Sequence, residues 1–121
     1  MALRDLIIDQ NKAIESAIEN LVRPYIRYLS ENHRIVFKGQ FDSLSIEDKI
    51  LVYLVSMRGL KYLSGEAVGI SSTDEIIETL YIDKAIAERA VEKLVRQKLL
   101  VIENGVYFVP VASLDAIRVR L

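Results

Sequence analysis

Residues Ser71 to Pro110 read SSTDEIIETLYIDKAIAERAVEKLVRQKLLVIENGVYFVP, and this stretch decides the fold. Thr73 to Leu80 has the start signal and apolar spacing of a short amphipathic helix, and Tyr81-Ile82-Asp83 breaks it. Lys84 to Lys98 then carries Ala87, Ala90, Val91, Leu94 and Val95, the one-sided stripe of a second helix. Leu99 to Ile102 and Val106 to Val109 are β-branched or aromatic runs joined through Glu103-Asn104-Gly105. Asn-Gly between two apolar runs signals a hairpin, because a type I′ turn needs positive φ at both central positions. The order is therefore helix, sharp turn, longer helix, tight hairpin.

Upstream, Ala2 to about Val22 reads as an amphipathic helix, with Leu3, Leu6, Ile7, Ile14, Ala17, Ile18 and Leu21 at three- and four-residue spacing. Pro24 stops or kinks it. Tyr25, Ile26 and Leu29 extend an apolar face to about Ser30, and Arg34 to Lys38 leans towards a strand. Phe41 to Leu44 reads as a turn. Ser45 is an N-cap for a helix from Ile46 that buries Ile50, Leu51, Leu54 and Val55, with Gly59 as its C-cap. Leu60 to Ile70 is a loop or a short first strand. Downstream, Ser113 caps a last short helix, Leu114 to Leu121, with Arg118 and Arg120 near its negative end.

Leu80, Ile82, Asp83, Leu94 and Leu99-Leu100 fall on positions that make the segment from Leu80 to Val101 resemble the turn and recognition helix of bacterial and archaeal winged helix-turn-helix transcription regulators. The resemblance covers roughly residues 45 to 110. It implies an α+β, mostly helical fold: a winged helix-turn-helix domain over 42–112, an added long N-terminal helix within 1–41, and a short C-terminal helix over 113–121. It implies duplex DNA as partner, with the helix from Asp83 to Lys98 in the major groove. Thr73, Lys84, Ala85, Glu88, Arg89 and Lys93 are the candidate DNA-binding residues. Thr73 and the amides at the start of its helix would anchor a phosphate, Lys84 and Lys93 would add charge, and Arg89 would read or brace a base edge. Such regulators commonly dimerise through helices outside the motif, so Leu3, Ile7, Ile14, Ile18 and Leu21 are the candidate homodimer face, with packing of the stripe against the chain's own winged domain as the competing reading.

The same segment departs from that pattern. Glu88 and Glu92 face outward with Ala85, Arg89 and Arg96, and carboxylates approach phosphate with the wrong sign. The hairpin tip carries no Lys or Arg to clamp a minor groove. Tyr81 stands where the family usually has glycine, which implies a different turn geometry. These departures define the rival reading, a winged protein-interaction module that serves as subunit or adaptor of a larger assembly without DNA contact of its own. A ligand-sensing regulator with a pocket between the N-terminal helix and the winged domain is a third.

Composition narrows the classes further. The chain has 121 residues, with 16 Lys and Arg against 17 Asp and Glu, so bulk positive charge does not drive DNA affinity. Residues 1–41 carry a net +1 and residues 42–121 a net −2. With no cysteine there are no disulfides, thiolate metal sites or cysteine nucleophiles, which fits a reducing cytoplasm. The apolar runs are far below the roughly 20 residues that span a bilayer, so no membrane partner is expected, nor a signal peptide. His33, the one histidine, and the pairs Asp74-Glu75 and Glu47-Asp48 read as surface and helix-start residues rather than ligands. No phosphate-loop, dinucleotide, zinc-protease or nucleophile-elbow motif occurs, so neither an enzyme, a metal nor a cofactor is expected. Fifteen Ile and fifteen Leu beside three Gln and four Asn is a bias associated with thermophile proteins.

Overall fold

The computed structural model describes residues 10–29, 34–64 and 70–121. It is an α+β fold of six helices and two small antiparallel sheets: α1 (Gln10–Val22), β1 (Ile26–Tyr28), β2 (Ile35–Phe37), α2 (Gly39–Asp42), α3 (Ile46–Ser64), β3 (Ile70–Ser72), α4 (Thr73–Leu80), α5 (Lys84–Arg96), β4 (Val101–Glu103), β5 (Val106–Phe108) and α6 (Leu114–Arg120). β5 is the middle strand of the second sheet, pairing with β3 on one side and β4 on the other.

Everything is arranged around α3. Seven consecutive residues, Ile50 to Ser56, are buried, so this helix is covered on all sides rather than along one stripe. α1, α4, α5, β3 and β5 pack against it. The Ser56 hydroxyl, the one polar group in that run besides Tyr53, donates to the Val52 carbonyl at 2.7 Å, so its burial leaves no unpaired donor. Tyr53 and Ser71 share a buried 3.3 Å hydrogen bond that ties β3 to the same helix. The helix starts at the expected cap: the Asp48 amide donates to Ser45 Oγ at 3.2 Å.

It does not stop where expected. Gly59 is interior to α3, which runs on to Ser64. The glycine serves close packing instead, because a Cβ there would run into the Tyr28 hydroxyl and lie 3.2 Å from Ile18 Cγ2. Tyr28 reaches that spot because the segment after Pro24 is not helical. Tyr25 to Leu29 enters a hairpin, with Ile26 opposite Phe37 and Tyr28 opposite Ile35. Apolar residues at 25, 26 and 29 satisfy helical spacing, but the proline removes the hydrogen bond that would continue the helix, and β2 supplies a ladder instead. The expected turn at Phe41 is a single helical turn, α2, whose Phe41 is buried and stacks on Phe37 at 4.3 Å between centroids.

One core serves the whole described chain. Ile18, Leu21, Val22 and Ile26 from the N-terminal side and Leu114 and Ile117 from α6 join Ile50, Leu54, Ile76, Val91, Leu94 and Leu100 in a single cluster. The described residues of 1–41, expected either to dimerise or to pack, and residues 113–121 are therefore part of the packing around the centre. Ser113 precedes α6 without capping it; its hydroxyl donates to the Lys98 carbonyl at 2.9 Å and pins α6 to the end of α5.

Candidate nucleic-acid interface

α4 and α5 meet at a three-residue turn whose geometry follows from local chemistry. Ser72 caps α4 with a full capping box: its Oγ accepts from the Glu75 amide at 3.2 Å, and its own amide donates to Glu75 Oε1 at 3.3 Å. At the other end Tyr81 takes φ 54° and ψ 49°, and its amide and that of Ile82 both return to the Ile77 carbonyl. The turn is thus the left-handed closure that glycine usually makes, with tyrosine in glycine's place, and not a different geometry. Ile82 folds back into the core, and Asp83 begins α5 from extended backbone. Asp83 holds the N-cap position, but its carboxylate makes no capping hydrogen bond.

α5 buries Ala87, Ala90, Val91 and Leu94 and presents Lys84, Ala85, Glu88, Arg89, Glu92, Lys93 and Arg96 to solvent. Lys84, Arg89 and Arg96 pair with no carboxylate among the described residues. Lys93 is different: its Nζ lies 3.1 Å from Glu47 Oε1 at the start of α3. Glu47 also accepts from Arg120 at 2.8 Å, and Arg120 reaches Asp48 at 2.6 Å and Gln97 at 3.2 Å. Charge from three elements, α3, α5 and α6, is thereby neutralised at one point. A shallow groove of about 520 Å³ runs alongside, with Ser45, Ile46 and Glu47 on the α3 side and Ile86, Arg89, Lys93 and Arg96 on the α5 side.

The expected phosphate anchor at Thr73 stands beside a carboxylate. Thr73 is half-buried as the first residue of α4, and the capping box spends the Glu75 amide while setting the Glu75 carboxylate over the same helix end. A phosphate there would meet a negative charge. The hairpin is as expected: Asn104 and Gly105 both take positive φ, 51° and 78°, the type I′ pattern. Its exposed tip, Glu103-Asn104-Gly105, adds no positive charge.

Of the proposed dimer residues, Leu3 and Ile7 lie outside the described residues. Ile18 and Leu21 are 3 % and 5 % exposed because they pack in the chain's own core, and Ile14 is half-buried against it. The described part of that stripe is spent internally. His33 also lies outside the described residues. Between α1, β1 and α3 there is a cleft of about 290 Å³ lined by Ile18, Val22, Ile26, Tyr28, Gly59 and Leu63, with Glu15, Glu19 and Arg23 also at its walls. Arg23 and Glu19 pair with each other there, and the Tyr28 hydroxyl is given to Ser56. Among the described residues no helix is long and apolar enough to cross a membrane, and no three His, Cys, Asp or Glu are grouped to hold a metal.

Two participants were not visible in the sequence: Glu47 as the partner of Lys93, and Arg120 as the residue that gathers Glu47 and Asp48. Their signal is only spatial, since residues far apart in the chain meet across α3, α5 and α6. No protein-family model, curated protein or solved structure matches the chain.

Proposed function

We propose that this chain is a winged helix-turn-helix protein that binds duplex DNA through α5 and acts as a transcriptional regulator. The order α3, β3, α4, α5, β4, β5, with β5 between the other two strands, supports the winged reading. The observation that carries the DNA reading is the solvent face of α5, where Lys84, Arg89 and Arg96 meet no carboxylate among the described residues, along one helix backed by a fixed core. In this reading Arg89, near the middle of that face, contacts a base edge or an adjacent phosphate, and Lys84 and Arg96 contact phosphates on either side. Lys93 contributes less than its position suggests, because Glu47 already holds it. With Ile18 and Leu21 buried, the reading does not depend on a coiled-coil homodimer.

Anisotropy of a labelled random duplex of about 30 base pairs, titrated at two salt concentrations, tests it. Three phosphate contacts give a slope of roughly −2.7 in log K against log salt. Absence of binding at low salt would overturn the reading.

A further inference from the structure

α4 and its closing turn have a character opposite to that of α5. Residues 73–83, TDEIIETLYID, hold four carboxylates and no Lys or Arg. Because Ile76 and Ile82 point into the core, Asp74, Glu75, Glu78 and Asp83 are left exposed. Tyr81 ends this face and is 94 % exposed, the most exposed large apolar side chain among the described residues.

Folding gives no reason for that tyrosine. Its ring buries almost nothing, so it gains no transfer free energy. Its backbone sits in the left-handed region, where glycine is unstrained and a side chain with a Cβ is not. The fold would be as well served by glycine, and the ring is offered to solvent with Glu78 one turn before it and Asp83 two residues after.

We propose that Tyr81, with Glu78 and Asp83, is the docking point for an arginine- or lysine-bearing segment of a partner protein. A guanidinium or ammonium group placed over the ring face gains the attraction of the aromatic quadrupole, and the two carboxylates flank the same cation. Charge decides the occupant. A nucleic-acid backbone laid here would bring phosphates against four carboxylates with no cation in the run, and a neutral apolar segment would desolvate the carboxylates without compensation. The surface adjoins the basic face of α5 at Lys84, and a cation can dock on it whether or not α5 binds DNA.

The test is an amide-resonance titration of the full chain with a nona-arginine peptide, with nona-glutamate as the control. The expected result is that arginine peptide shifts residues 74–84 first and most, while the glutamate peptide leaves them in place. Tyr81→Phe keeps the ring and binds within about twofold of wild type. Tyr81→Asn, which tolerates the left-handed backbone, weakens binding by about two- to fivefold. Glu78→Gln weakens it as well. Shifts centred away from residues 74–84 would overturn the proposal, as would unchanged affinity in Tyr81→Asn with a melting temperature showing that the variant is folded. Shifts of the Tyr81 resonances by a DNA duplex but not by the arginine peptide would assign the ring to nucleic acid and overturn it too.

Discussion

The Tyr28 hydroxyl donates a 2.6 Å hydrogen bond to the Ser56 carbonyl and occupies the space a side chain at Gly59 would need. This one contact joins the N-terminal hairpin to the central helix and explains both an interior glycine and a buried phenol. Gly59→Ala should therefore destabilise by about 1–3 kcal/mol through overpacking, although alanine is ordinarily better than glycine in a helix. In a Tyr28→Phe background the penalty should shrink, because the clashing oxygen is gone. Urea denaturation of the four members of the cycle measures the coupling; additive effects would count against the contact.

Burial pushes the Tyr28 phenol well above its ordinary value near 10, the hydrogen bond to Ser56 opposing only part of that shift. Below pH 10 the phenol is neutral in both states, and its contribution to stability is complete. Above pH 10 the unfolded chain ionises while the folded one does not, so stability should fall by up to about 1.4 kcal/mol per pH unit from this group. Tyr28→Phe removes that part of the alkaline slope. Thermal melts of both proteins between pH 9 and 11 check it.

Tyr81→Gly should stabilise the protein by about 1 kcal/mol, by relieving left-handed backbone at the cost of no buried surface. Chemical denaturation checks this prediction, and it is independent of any binding. A loss of stability would mean that the ring makes contacts the exposed geometry does not include.

Arg120 holds Glu47 and Asp48 together, all three only partly exposed. Arg120→Ala should cost about 1 kcal/mol, less in high salt, since the network is near the surface. Glu47→Gln should release Lys93 from its ion pair and steepen the salt dependence of duplex binding by about one phosphate contact.

For the DNA reading itself, Arg89→Ala should weaken duplex binding by about 1–3 kcal/mol and relax sequence preference if Arg89 reads a guanine. Lys84→Ala should weaken all duplexes alike and reduce the salt slope by about one. Competition titrations with duplexes of different sequence separate the two patterns.

Much of the chain from Ser45 onward was legible because its signals are local. The positive φ of Asn104 and Gly105, the Ser45 cap and the stripe of α5 all depend on residues within a few positions of one another. The outward face of α5 followed from the same periodicity. What was not legible depends on partners distant in sequence. Gly59 looked like a helix end because its reason, Tyr28, lies in another hairpin. Ser113 looked like a cap because the Lys98 carbonyl that takes its hydroxyl is not adjacent. Lys93 looked available because Glu47 approaches only across the packed helices. Tyr25 to Leu29 suited either period, and only pairing with Ile35 to Phe37 decided it.

α6 packs on α1, and its Ile117 is fully buried in the core. α1 and α6 thus close on each other, so synthesis in the N-to-C direction leaves α1 with part of its apolar face uncovered until α6 is available. The shared core cannot be completed piece by piece. Nascent chains halted before residue 114 should carry exposed Leu21 and Ile14 surface and be the species most prone to capture by chaperones, which makes α6 a gate on when this core becomes safe in the cell.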